Sequence, residues 1–87
     1  MRVRTSRDLG AAIRQARRSL RLTQAGLAAR AGVTRTWLSS VENGKPGAEV
    51  GMILRTLDVL DLAIDLQPAG PRHGGFDLDA LLGVDDG

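Results

Sequence analysis

Residues 22–45 read LTQAGLAARAGVTRTWLSSVENGK, and this stretch decides the fold because it holds the signals for two short helices and a tight turn. Thr23 is a good N-cap for the first helix, and Gly32 suits the left-handed conformation that follows a helix end. Thr34 caps the second helix, which runs to about Asn43. The inward-facing positions of the first helix are small or aliphatic: Leu27, Ala28 and Ala31. Small residues let the two helices approach closely, so the pattern predicts a helix-turn-helix.

Two further helices are predicted on either side of this stretch. The first predicted helix covers about Asp8 to Leu20, capped by Ser6 or Thr5. Its apolar residues recur at helical spacing: Leu9, Ala12, Ile13, Ala16 and Leu20. The fourth covers about Ala48 to Leu60, after a Pro-Gly break, and we expect it to bury Val50, Ile53, Leu54, Leu57 and Leu60. The predicted fold class is therefore all-α.

Residues 61–67 form a separate pattern with a period of two, which predicts a β-strand. Leu62, Ile64 and Leu66 alternate with smaller or polar residues. A lone strand has no partner within the chain, so we expect it to pair with the same strand of a second copy, giving a homodimer. The predicted organisation is a basic N-terminal arm (1–7), a helix-turn-helix domain (8–60), this dimerisation strand, and a flexible acidic tail (68–87).

The charge of the chain is divided between its two halves. Residues 1–47 hold ten basic and two acidic side chains, a net +8, whereas residues 48–87 hold two basic and eight acidic ones, a net −6. This division favours a polyanion as partner of the first half and a different partner for the second.

Several function classes are excluded by composition. The chain has no cysteine, and its one histidine, His73, lies alone in a Pro/Gly-rich stretch, so we expect no enzyme activity, metal or cofactor. No apolar run approaches the roughly 18–20 residues that span a bilayer, and no apolar signal segment follows the basic N-terminus. We therefore expect a cytoplasmic protein with no membrane contact.

The 22–45 segment resembles the Cro/C1-type (Xre) helix-turn-helix family over about residues 7–60. The resemblance lies in the Thr-Gln opening, the Leu-Ala pair, the Gly-Val turn and the Glu-Asn-Gly-Lys ending. It implies a lambda-repressor-like domain of four to five helices. One departure is Gly26, where many members have Glu; its absence removes a capping-box carboxylate, and glycine costs about 1 kcal/mol in a helix.

The resemblance implies a DNA-binding surface, with the third helix in the major groove of double-stranded operator DNA. The helical wheel and the family pattern together assign base contacts to Arg35, Thr36, Ser39 and Ser40. Arg35 is the best candidate for a bidentate contact to guanine. The expected phosphate contacts are Gln24, Thr34, Trp37, Asn43 and Lys45. The arginines at positions 2, 4 and 7 could form an arm that reaches a neighbouring groove.

Simpler interpretations exist for some of these residues. Trp37 could cover the rim of the core, and Ser39 and Ser40 could be small polar surface residues. The arginines of the first helix could form a solvated face. Glu42 is expected to pair with an arginine of the first or second helix rather than to act in chemistry.

The order of arm, helix-turn-helix, strand and acidic tail also resembles HipB-type antitoxins. This implies a repressor that autoregulates its operon and binds a HipA-like serine/threonine kinase toxin. The tail residues expected to bind such a partner are Phe76, Leu78, Leu81 and Leu82. The alternatives are a tail packed on its own domain or serving only solubility, a stand-alone regulator without a toxin, and an interaction module that has lost DNA binding.

Overall fold

The computed structural model describes residues 2–70, and this part of the chain is all-α, as predicted. Its four helices are α1 (Ser6–Ser19), α2 (Gln24–Ala31), α3 (Arg35–Glu42) and α4 (Val50–Val59). Helix α1 packs against α3, and α2 packs against both α3 and α4. Helix α3 is therefore packed against both α1 and α2.

Threonine caps begin the first three helices. The Oγ1 atom of Thr5 accepts a hydrogen bond from the Asp8 N–H (3.0 Å), so α1 begins two residues earlier than predicted. Thr23 caps α2 through the Gly26 N–H (2.9 Å) and Thr34 caps α3 through the Trp37 N–H (3.0 Å). Each cap is worth about 1 kcal/mol. The Thr23 cap is formed even though position 26 lacks the glutamate of the capping box.

The core lies where the four helices meet. Ile13, Leu27 and Leu38 are fully buried, and Leu57 and Leu60 of the last helical segment close the core from the other side. Burying each such side chain contributes about 1.5–3 kcal/mol. The core therefore draws on all four helices, which explains why none of them needs to be stable alone.

Three residues expected in the core lie at the surface instead. Leu20 is 52% exposed because α1 has ended before it, and Val50 and Leu54 are 67% and 48% exposed. Leu54 is rotated by about 100° from Ile53, the first core residue of α4. Thr56, and not Leu54, lies on the inner face of α4. It is fully buried, and its hydroxyl donates to the Met52 carbonyl (2.8 Å).

Glycine permits the close crossing of α1 and α3. A Cβ atom built on Gly10 would lie only 2.1 Å from the Val41 carbonyl oxygen. Near the same crossing, the Ser6 hydroxyl donates to the Gly44 carbonyl (2.9 Å), so the start of α1 is tied to the loop after α3. Nothing in the local sequence marks Gly10, since only the crossing shows why a side chain is excluded there.

Residues 62–70 carry no β-strand in the single chain that the structure describes. The Leu62 N–H donates to the Leu57 carbonyl and ends the α4 segment (2.8 Å). Beyond it, Ile64 and Leu66 are 50% and 89% exposed. Pairing with a second copy thus stays a prediction, and the four apolar tail residues from Phe76 to Leu82 lie outside the described residues.

Candidate nucleic-acid interface

The four residues predicted to contact bases lie together on the side of α3 that faces away from the core. Arg35 and Thr36 are exposed, and Ser39 and Ser40 are half-buried beside them. On the opposite side of the helix, Leu38 and its neighbour Val41 are buried. The outer face therefore offers one guanidinium and three hydroxyls, all groups that hydrogen-bond to base edges and phosphates.

The beginning of α2 offers backbone N–H donors as well. The first intrahelical hydrogen bond of α2 runs from the Leu27 N–H to the Thr23 carbonyl (2.9 Å), and the Gly26 N–H is taken by the Thr23 cap. The N–H groups of Gln24 and Ala25 precede these bonds and have no intrahelical acceptor. Such amides at a helix N-terminus suit a phosphate oxygen.

A buried ion pair fixes α3 against α1. The Arg17 guanidinium donates through Nε to Glu42 Oε2 (2.7 Å) and through Nη2 to Glu42 Oε1 (2.9 Å). Its Nη1 donates to the Leu22 carbonyl (2.9 Å), which ties the turn before α2 to the same group. Two parallel bonds of this kind define orientation as well as supplying energy.

The same carboxylate receives two further donors. Gln24 Nε2 donates to Glu42 Oε1 (3.2 Å), and Arg14 Nε lies 3.5 Å from that oxygen. Glu42 thus joins α1, α2 and α3 at one buried point. The prediction that Glu42 pairs with an arginine of the first or second helix is confirmed. The simpler interpretation of the first-helix arginines as a solvated face does not hold for Arg17, which is only 9% exposed.

The network alters the acidity of Glu42. Burial by itself raises the pKa of this carboxyl, but the hydrogen bonds from Arg17, Gln24 and Arg14 and the Arg17 charge hold the pKa below its usual range. The hydrogen bonds that Arg17 donates to Glu42 in turn raise the pKa of Arg17, although desolvation of that guanidinium opposes the rise. Both groups are therefore charged at neutral pH, and the pair remains intact.

The residues predicted to contact phosphates differ in their burial and in the hydrogen bonds that their side chains make. The Gln24 side chain donates to Glu42 Oε1, and the Gln24 backbone N–H has no intrahelical acceptor. Thr34 Oγ1 caps α3, and Trp37 is half-buried against the core rim, as its simpler interpretation had it. Asn43 and Lys45 are exposed after α3, with Asn43 Oδ1 accepting from Arg14 Nη2 (2.9 Å).

The described residues hold neither a candidate metal site nor a candidate membrane-spanning helix. Within residues 2–70, no group of three or more His, Cys, Asp or Glu side chains is arranged to hold a metal ion. In that same range no helix combines the length and apolar character that crossing a bilayer requires.

Comparison with known proteins assigns the class of this chain. The family profile described as "Helix-turn-helix domain" matches residues 8–69. A regulator from Sinorhizobium fredii, named "Uncharacterized HTH-type transcriptional regulator y4mF", is 38% identical over 72 residues, which is 83% of this chain and 95% of the relative. The chain therefore belongs to the helix-turn-helix family.

Within that family its fold is Xre-like and of the HipB type. A solved structure described as "Structure of HipA-HipB-O2-O3 complex" contains a chain that superimposes with a TM-score of 0.73 at 22% identity, covering 79% of this chain and 97% of the other. A chain of the "HipB-O4 20mer complex" superimposes equally well, with a TM-score of 0.73, 23% identity and the same coverage. At these identities the likeness concerns the fold.

Proposed function

We propose that this helix-turn-helix regulator is a dimeric, sequence-specific repressor that serves as the antitoxin of a HipA-like kinase toxin and autoregulates its operon. DNA binding at the coarser level follows from membership of the family. The observation that carries the finer assignment of residues is the outer face of α3, where Arg35, Thr36, Ser39 and Ser40 lie together on a helix oriented by the buried Glu42 network.

Arg35 is the residue that tests base reading most directly. Its position in the first turn of α3 suits entry into the major groove, because recognition helices contact bases with their N-terminal residues. A bidentate arginine–guanine contact contributes about 1–3 kcal/mol of discrimination. Replacing Arg35 by alanine should reduce affinity for a duplex selected from a random pool, and should relax specificity at one base position.

The control for this experiment is Arg30→Ala, which removes the same charge from the last turn of α2, on an exposed position. Binding is measured by fluorescence anisotropy on the selected duplex and on single-base variants of it. If Arg35→Ala and Arg30→Ala lower affinity equally for all duplexes, Arg35 supplies only charge and is not the base reader.

Dimerisation is supported by the apolar side chains that the single chain leaves exposed. Leu62, Ile64 and Leu66 follow α4, and Val50 and Leu54 are exposed on α4 itself. An exposed row of alternating apolar side chains is a surface that strand pairing with a second copy would cover. Ile64→Asp should give a monomer in analytical ultracentrifugation, whereas Asp65→Asn, on the alternate side of the segment, should remain dimeric. A wild-type monomer at concentrations that saturate DNA would rule out this arrangement.

The antitoxin role is supported by the fold likeness to HipB as found in the HipA-HipB-O2-O3 complex, and by the acidic character of the second half of the chain. Co-expression of the full chain with the product of the adjacent gene, followed by co-purification and a kinase assay, tests it. A truncation at Pro68 that still binds the partner would remove the acidic tail from the proposed interface. The stand-alone alternative is favoured by one finding, the S. fredii relative named as a transcriptional regulator, and it predicts that no kinase co-purifies.

A further inference from the structure

A basic groove of about 620 Å³ runs along the exposed side of α1 and reaches the end of α3. Its cationic residues are Arg7, Arg14 and Arg18, which lie at positions i, i+7 and i+11 and so share one face of the helix. Eleven residues of α-helix extend about 16 Å. The groove is therefore an elongated track of positive charge and not a closed pocket.

The far wall of the groove is formed by the end of α3. Glu42 and Asn43 line it, and the Arg14 guanidinium joins the two sides by donating to Asn43 Oδ1 (2.9 Å). The carboxylate of Glu42 adds little negative charge to the groove because its side chain is fully buried and paired with Arg17. The start of the track is tied to the loop after α3 by the bond from Ser6 to the Gly44 carbonyl.

Two of the three arginines have no charge partner in the described part of the chain. Among residues 2–70 the salt bridges join Glu42 to Arg14 and to Arg17, and neither Arg7 nor Arg18 takes part in one. Like charges on one helix face repel one another, and an anion bound along that face relieves the repulsion. The remaining lining is Ala11, Gln15 and Ser19, so the groove contains no large apolar residue that could anchor a peptide.

We propose that this groove binds the phosphate backbone of the DNA duplex beside the segment that α3 reads. The inference rests on the proposed DNA-binding function and extends it to α1. Duplex DNA carries one negative charge per roughly 1.7 Å of its axis, so a track of about 16 Å faces several phosphates. Because the contact is to phosphate, it contributes affinity and register but no sequence preference.

The test measures how the affinity of the full chain depends on salt. Each arginine that neutralises a phosphate contributes about 0.9 to the slope of log affinity against log salt. The double variant Arg7→Gln/Arg18→Gln should therefore lower the magnitude of the slope by about 1.8. Between about 50 and 200 mM salt, the affinity loss of the variant should be about tenfold smaller than that of the wild type.

Two DNA probes and one control variant make the result specific. The probes are the selected duplex and a duplex of unrelated sequence, on both of which the slope should fall by the same amount. The control is Arg21→Gln/Arg30→Gln, which removes two charges from exposed positions outside the groove. Thermal unfolding checks that both variants are folded, and we expect unchanged midpoints for Arg7→Gln/Arg18→Gln.

An unchanged slope in Arg7→Gln/Arg18→Gln overturns the proposal. Equal reductions in the two double variants also overturn it, because they would reflect total charge and not the groove. The proposed function fails separately: in that case the wild type itself shows no salt-dependent binding to either probe. The function and the groove can therefore be told apart. If the wild type binds DNA, Arg35→Ala loses discrimination between bases and Arg7→Gln/Arg18→Gln keeps the wild-type salt slope, the proposed function stands and only the phosphate-binding role of the groove is ruled out.

Discussion

Neutralising Glu42 is the change that most directly tests how α3 is held. In Glu42→Gln the shape of the side chain is kept, but one acceptor of the Arg17 fork becomes a donor. The Arg17 side chain is only 10% exposed, and its guanidinium would face an amide N–H in place of one of the two carboxylate oxygens that now accept at 2.7 and 2.9 Å. Removing one partner of a buried pair costs about 3–5 kcal/mol, since the other charge is left uncompensated.

That cost is a large part of the stability of a small domain, which lies within about 5–15 kcal/mol in total. In a domain of this size each kcal/mol lowers the thermal midpoint by about 4–8 °C. The Glu42→Gln variant should therefore melt at least about 12 °C below the wild type. Urea unfolding followed by circular dichroism gives the free energy of unfolding directly, and the m-value should stay constant.

The chain offers a matched control in its other glutamate. Glu49 precedes α4, is exposed and makes no side-chain cap bond, so Glu49→Gln should change stability by less than about 0.5 kcal/mol. A double-mutant cycle with Arg17→Met completes the test. The double variant should be more stable than the sum of the two single losses by about 0.5–3 kcal/mol. Additive losses, or a Glu42→Gln variant as stable as the control, would show that the Arg17–Glu42 pair does not hold α3 against α1.

Three further outcomes follow from contacts in the described structure. The folded-state pKa of Glu42 lies below its unfolded value of about 4.3, so the ionised carboxylate stabilises the fold above that pH and this contribution is lost as the pH falls through the folded-state pKa. Over that acidic range, the urea midpoint of the wild type should fall more steeply with decreasing pH than the midpoint of Glu42→Gln. Gly10→Ala should destabilise by about 1–3 kcal/mol, measured by urea unfolding, because the new Cβ would lie 2.1 Å from the Val41 carbonyl oxygen; a stabilised variant would show that the crossing adapts. Arg55→Ala should cost about 1 kcal/mol and raise amide exchange at the end of α2, since Arg55 donates to the Ala31 and Gly32 carbonyls (3.2 Å each); unchanged exchange there would exclude a capping role.

The helix-turn-helix could be predicted because its signals are local. Thr23 and Thr34 act as N-caps within three residues of themselves, and Gly32 adopts the left-handed conformation (φ 70°) immediately after α2. Such features depend on backbone hydrogen bonds that close within one turn of helix. The outer face of α3 was predictable for a similar reason, because the angular spacing of its residues is set by the helix itself.

The predictions that failed needed knowledge of which helix packs against which. Periodicity placed Leu54 in the core, but α4 presents Thr56 there instead. It placed Arg17 on a solvated face, although the guanidinium finds its carboxylate 25 residues away in α3. A charged residue is expected to avoid the core unless a partner is present, and no local pattern shows where such a partner will lie.

The helices, their caps, the positive charge of the first half of the chain and the family could all be predicted from the order of the residues, because these follow from short-range hydrogen bonding, helical spacing and motif spacing. The tertiary structure decided how α3 is oriented, through the buried bonds from Arg17 and Gln24 to Glu42 and the close crossing at Gly10. It also brought the arginines of α1 alongside Asn43 to form one groove. The physical reason is the same in each case: these contacts join residues far apart in the chain, and their energies arise only when packing removes the groups from water.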